Sequence, residues 1–200
     1  SIIGQTQLLL KRTDSPDQQQ ALETIGAQAW RIRDMIGDTM LFARPPQPEF
    51  EDCDLAAIAR DVVDKVNSKR SRGRVRVSWS CPSGVVRTFA DHTQLRILVT
   101  NLLDNAVEAV SDVETDPVVT VSLRTAAPFA VELVVADNAP AMSPEVRRHL
   151  FNPFFSGRQA GRGLGFGLSH CWQIVRMHNG ILMHELQDPG SRFLVILPTR

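Results

Sequence analysis

Residues 94–110 read QLRILVTNLLDNAVEAV, apolar at helical rather than alternating positions. At 100° per residue, Leu95, Val99, Leu102, Ala106 and Val110 gather on one side, the pattern of a helix laid against a sheet. Asn101 and Asn105 fall one turn apart at the margin of that stripe, beside Glu108. Amides at a core margin need partners. Oxygens four residues apart can help hold a hydrated Mg²⁺, which keeps most of its waters and takes few protein ligands. They can equally cap or bridge neighbouring loops, and spacing alone does not choose.

Strand signals lie on both sides of this helix. RVRVSWS (74–80) alternates with period two, and TFAD (88–91) reads as a short strand. VVTVSLR (118–124) and AVELVVAD (130–137) predict an antiparallel pair joined through TAAP (125–128). DLAAIARDVVDKV (54–66) predicts an amphipathic helix entered from an acidic cap. Residues 164–178 predict another, stopped at His178-Asn179-Gly180, after which ILMHEL and RFLVILP are strands. Helices mixed with hairpins predict an α+β fold: a two-layer sandwich with helices on one face of a mixed sheet.

The proline cluster RPPQPEF (44–50) divides the chain, predicting a helical hairpin over 1–46 and the mixed domain over 47–200. In the hairpin, Leu22, Ile25, Ala29, Ile32, Ile36, Thr39 and Ala43 recur at 3-4 spacing, a coiled-coil seam. Such a helix, about 40 Å long at 1.5 Å per residue, carries more apolar surface than one hairpin can bury. A four-helix bundle made with a second copy covers it. Packing against the downstream domain is the alternative.

The 200 residues carry formal net charge zero, so bulk charge favours neither nucleic acid nor an anionic membrane. The basic run KRSRGRVR (69–76) has no aromatic residue to stack a base and reads as a solvated turn. Cys53, Cys81 and Cys171 lack paired metal-ligand spacing and read as reduced thiols of a cytoplasmic protein. No run approaches the roughly 18–20 apolar residues that span a bilayer, so this segment is expected to make no membrane contact.

Three further features carry chemistry. Asp137 ends an apolar strand and can accept from a ligand amino group or cap its own turn. FNPFFSGR (151–158) sets three phenylalanines before a basic residue; such a cluster is either core or the anchor of a mobile lid. GRGLGFGLS (161–169) alternates glycine at a helix entrance, where free N–H groups and a partial positive charge suit a phosphate. Taken alone, it can also be a flexible loop.

The order NLLDNAVEA (101–109), DNAPA (137–141), FNPFF (151–155), GRGLGFGLS (161–169) resembles the N, G1, F and G2 boxes of sensor histidine kinases. MHNG (177–180) and SRFLVILP (191–198) extend the likeness, which is nearest the short-lid, nitrogen-regulation-type branch. The resemblance implies a catalytic ATP-binding domain of the gyrase/Hsp90/histidine-kinase type, preceded by a dimerisation hairpin. It makes Asn105 the Mg²⁺ ligand, Asn101 its catalytic helper near the phosphates, and Asp137 the acceptor of the adenine amino group. Ala139 and Ala141 then border the adenine, and Phe154 and Phe155 anchor the lid. Arg158 contacts the terminal phosphate, while Gly161, Gly163, Leu164, Gly165, Phe166, Gly167 and Leu168 form the lid over it. Gyrase-type ATPases carry a glutamate where this chain has Asn101; a neutral amide is a poor base for activating water, which favours transfer over hydrolysis.

Two departures bear on this reading. The phosphate-accepting histidine of such kinases lies on the first hairpin helix, yet His92, His149, His170, His178 and His184 all lie downstream. The chain is therefore expected to be a piece of a longer kinase, cytoplasmic or the cytoplasmic part of a membrane-anchored sensor. The second departure is DNAPA for D-x-G-x-G. If the turn needs left-handed residues, each alanine would cost on the order of 1–2 kcal/mol. The expected function is transfer of the ATP γ-phosphate to a histidine outside the chain, for a response-regulator receiver domain. The competing expectation is a decayed kinase domain serving as a dimerising scaffold.

Overall fold

A computed structural model describes every residue except 70–73, 115, 128, 156–164 and 200. The chain forms two compact units, Ser1–Pro46 and Gln47–Arg200. In the first, α1 (Ile2–Leu10) and α2 (Pro16–Ala43) pack as a hairpin. Pro16 opens α2, where a missing N–H costs nothing. Thr6 is buried against Gly26, and its hydroxyl returns to the carbonyl of Ile3 at 2.9 Å.

The second unit runs β1 (Glu51–Asp54), α3 (Leu55–Lys69), β2 (Arg76–Ser80), β3 (Arg87–Ala90), α4 (His92–Ala109), β4 (Val118–Ala127), β5 (Ala130–Asp137), α5 (Pro144–Arg148), α6 (Gly167–Met177), β6 (Ile181–Leu186) and β7 (Ser191–Pro198). Five strands form one sheet in the order β2-β4-β5-β7-β6; β2 and β4 are parallel and the other pairings antiparallel. A small antiparallel pair, β1 with β3, stands apart from that sheet. The expected α+β sandwich is what the chain forms.

Strand alternation sets the layers. On β5, Val131, Leu133, Val135 and Asp137 are buried, while the residues between them are half-covered. On β7, Phe193, Val195 and Leu197 lie opposite them across the register and join the same core. α4 closes that core with Leu95, Leu98, Val99, Leu102, Leu103, Ala106 and Val107 all fully buried. This stripe is wider than the sequence pattern suggested, because α4 packs against α3, α6 and the sheet together. Asp91 starts α4 by accepting from the Gln94 amide at 2.9 Å and also from the Glu49 amide at 2.9 Å.

The larger differences from expectation are these. β4 continues to Ala127, so residues 125–127 are strand, not turn. α6 begins at Gly167; Gly165 has φ +73, which a right-handed helix cannot contain. β1 was not expected at all; it exists by pairing Glu51–Asp54 with Arg87–Ala90. The helix stop at His178 holds, with Asn179 in the left-handed conformation. The buried His178 ring accepts the Asp91 amide at Nε2 (3.0 Å), so Nδ1 carries the ring proton and donates to the Ile174 carbonyl (2.8 Å). That ring ties the end of α6 to the start of α4.

Candidate functional site

The candidate residues fall into two groups, one at the end of β5 and one where α4 meets α6. In the first, the Asp137 side chain is buried and held at both oxygens. Oδ1 accepts the Ala139 amide at 3.0 Å, and Oδ2 accepts the Ser191 hydroxyl at 3.1 Å. Asp137 therefore caps its own turn, one of its two expected roles. Ser191 faces Asp137 directly in the β5–β7 register.

Gly190, just before Ser191, has φ +107, and a Cβ there would collide with the Asp137 carbonyl oxygen. Only glycine permits this approach of the β6–β7 turn to the end of β5. Neither Gly190 nor Ser191 was singled out from sequence. Pro189-Gly190 is a turn dipeptide, but nothing local in the sequence shows what such a turn touches.

The alanines of DNAPA carry no strain. Asp116, Phe154 and Asn179 are the non-glycine residues with positive φ among those described, so neither Ala139 nor Ala141 is left-handed. The penalty conditional on left-handed residues does not arise. Ala139 is buried beside Asp137 and Ala141 is exposed.

In the second group, Asn101 and Asn105 are half-buried on one face of α4. Asn101 Nδ2 donates to the Gly167 carbonyl at 3.4 Å, a long bond, and the Cys171 thiol of α6 donates to the Leu98 carbonyl of α4 at 3.7 Å. Burial pushes that thiol well above its ordinary range, and the nearby Asn101 amide opposes the shift only partly. Asn101 thus links α4 to the first turn of α6.

Gly165 packs against the phenylalanine segment: a Cβ there would lie 2.6 Å from the Phe155 carbonyl oxygen and 2.8 Å from the Phe154 carbonyl carbon. Phe154 is left-handed at φ +64, 62% exposed, and its ring meets buried Phe166 edge-on at 4.6 Å. Phe155 contacts the His149 ring at 5.3 Å. Leu168 packs against the core. Arg158 and three of the expected lid residues, Gly161, Gly163 and Leu164, lie outside the described residues.

The donor set fits a weakly held, hydrated cation only. Asn101 and Asn105 offer neutral oxygens, and among the described residues no group of three or more His, Cys, Asp or Glu could hold a metal. No described helix is long and apolar enough to cross a membrane.

A family model described as histidine kinase-, DNA gyrase B-, and HSP90-like ATPase matches residues 90–200. The C4-dicarboxylate transport sensor protein DctS of Rhodobacter capsulatus is 32% identical over 181 residues, covering 90% of this chain and 27% of that protein. The chain therefore spans about a quarter of that relative's length. The solved mycobacterial sensor histidine kinase MprB is 27% identical, with a TM-score of 0.65 over 76% of this chain and 98% of its own. Histidine kinase ThkA, solved in complex with response regulator protein TrrA, has a TM-score of 0.76 over 100% of this chain and 57% of its own. Its identity is 21%, a likeness of fold. The chain belongs to the histidine kinase-, DNA gyrase B- and HSP90-like ATPase family, as a catalytic ATP-binding domain of the sensor histidine kinase type.

Proposed function

We propose that the chain binds Mg·ATP between the end of β5 and the α4–α6 junction and presents the γ-phosphate to a histidine outside the chain. Transfer breaks the bond from the γ-phosphorus to the β,γ-bridging oxygen, forms a phosphorus–nitrogen bond on the imidazole, and leaves ADP. The phosphoryl group then passes to a response-regulator receiver domain. ThkA, a fold neighbour solved with a response regulator, supports that last partner.

The observation that carries the reading is the buried Asp137 carboxylate, fixed by Ser191 and Ala139 at a strand end inside an ATPase-family domain. In this role Asp137 accepts the adenine amino group. Asn105 and Asn101 orient the phosphate end, and Phe154, Phe155 and the glycine segment exclude water. Arg158 faces the terminal phosphate. A bound Mg²⁺ would neutralise phosphate charge. Catalysis by the chain's own groups is then positioning, with the amide of Asn101 leaving water unactivated.

The exposed Ile25, Ile32, Ile36 and Met40 of α2 support a homodimer made through the hairpin. Placement in the cytoplasm, alone or below a membrane anchor, belongs to the same reading. The competing reading, a dimerising scaffold with weak or no nucleotide binding, drew on the two alanines, and neither of them is left-handed.

Calorimetric titration with Mg·ADP and a non-hydrolysable ATP analogue tests the site against Asp137→Asn. Saturable binding that the variant weakens tenfold or more is expected; equal affinity in both proteins removes Asp137 from base recognition. Adding a histidine-bearing hairpin in trans then tests transfer.

A further inference from the structure

Asn138, next to Asp137, makes an unusual set of contacts with the start of β4. Its backbone N–H donates to the Val118 carbonyl at 3.3 Å. Its side-chain Oδ1 accepts the Val118 N–H at 2.9 Å, and Nδ2 donates to the Asp116 carbonyl at 2.9 Å. One residue thus bonds both backbone groups of Val118 and reaches two residues further back. Asp116 is itself left-handed, φ 49, with its carboxylate paired to Arg76 at 3.1 Å.

The β4–β5 ladder ends at the pair Val119 and Asp137. Beyond that pair the chain must leave the sheet while the Asp137 carboxylate stays at the strand end. Asn138 prolongs the pairing by one residue through its side chain as well as its backbone. From the opposite side, Gly190 approaches so closely that a Cβ there would overlap the Asp137 carbonyl and lie 2.9 Å from the Asn138 Cα. The backbone of Asp137–Asn138 is therefore held between the β4 start and the β6–β7 turn. The β4 start is also the end of the loop that leaves α4, the helix carrying Asn101 and Asn105.

We infer that Asn138 is a positioning residue for base recognition: it fixes the direction of the Asp137 carboxylate without touching the nucleotide. This rests on the reading of Asp137 as the adenine acceptor. A group that only stabilises the fold would affect every ligand alike. A group that aims Asp137 affects ligands with a base and spares those without one.

The test uses the whole chain, with ATP and inorganic tripolyphosphate each titrated in the presence of Mg²⁺. The proteins are wild type, Asn138→Ala, Asn138→Asp, Asp137→Asn and the double variant Asp137→Asn/Asn138→Ala. Asn138→Ala is expected to weaken ATP about tenfold, the effect of losing about 1.4 kcal/mol. Tripolyphosphate affinity should stay within about twofold of wild type, and the alanine should add nothing further to Asp137→Asn. Asn138→Asp keeps the acceptor for Val118 but replaces the donor that meets the Asp116 carbonyl by a second acceptor, so it too should weaken ATP; it stands in if the alanine variant does not fold. Equal losses for both ligands, no loss for ATP, or full additivity with Asp137→Asn would each overturn the inference. Wild-type ATP affinity in Asp137→Asn would instead remove the reading of Asp137, and this inference with it.

Discussion

The carbonyl oxygen of Asp137 fills the space where Gly190 would carry a Cβ, so the end of β5 and the β6–β7 turn fit only because residue 190 is glycine. Gly190→Ala meets two obstacles: φ +107, which side-chain-bearing residues rarely adopt, and overlap with the Asp137 backbone. The expected loss is about 1–3 kcal/mol of stability, the usual range for forced backbone shifts. ATP affinity should fall with it, because the shift moves Asp137. Urea unfolding and an ATP titration of the variant check both; an unchanged unfolding midpoint would show that the turn can yield at no cost.

Placing glycine at the two alanines is expected to bring no benefit. Neither Ala139 nor Ala141 has positive φ, so glycine relieves nothing and adds freedom to the unfolded chain. Ala139→Gly with Ala141→Gly should cost about 0.4–1 kcal/mol per site. ATP affinity should change less than about threefold, within the half kcal/mol or so of an ordinary neutral substitution. A tenfold gain in affinity would show that the methyl groups, rather than backbone strain, obstruct the base.

His184 predicts an acid-sensitive unit. Its ring lies on β6 opposite Phe193, 5.1 Å from that ring, and its Nε2 is buried with no hydrogen-bond partner among the described residues. Burial lowers its pKa; Asp137 opposes the shift, Arg147 adds to it, and Glu185 opposes it weakly. Because the folded state holds the proton less tightly, the unfolded state gains it first as pH falls. Stability from neutral His184 is thus complete above the unfolded pKa of about 6.5 and declines below it, toward the folded value. Thermal unfolding between pH 7.5 and 5 should show a fall that His184→Leu reduces. An unaltered acid slope in that variant would assign the sensitivity to other groups.

The strands and central helix were legible because their apolar periods are local. The positions that organise the site were not. Ser191 and Asp137 are 54 residues apart and meet only through the β5–β7 register. Asn101 reached notice by its spacing from Asn105, but its bond to the Gly167 carbonyl depends on how α6 crosses α4. β1 escaped notice because Glu51–Asp54 has one buried residue, Cys53, and no alternation to read. The extra width of the α4 stripe, from Leu98, Leu103 and Val107, follows from helices on two flanks, which no single helical wheel contains.

The hairpin gives the last prediction. On α2, Ile32, Ile36 and Met40 expose 57%, 56% and 68% of their surfaces, and Ile25 exposes 49%. Ile25, Ile32 and Ile36 belong to the 3-4 seam, so the seam read from sequence is uncovered along much of its length in one copy. Burying an isoleucine contributes roughly 1.5–3 kcal/mol, so a bundle with a second copy gains several such increments. Ile32→Glu would place a charge in that seam and should raise the dimer dissociation constant more than tenfold, as 1.4 kcal/mol already gives a factor of ten. Ile36→Glu should act alike, whereas Arg31→Glu, off the seam, should have a much smaller effect. Sedimentation equilibrium across a concentration series measures all three. A wild-type chain that remains monomeric at about 100 μM, where association would need only about 5 kcal/mol, would leave the seam without a second copy as its partner.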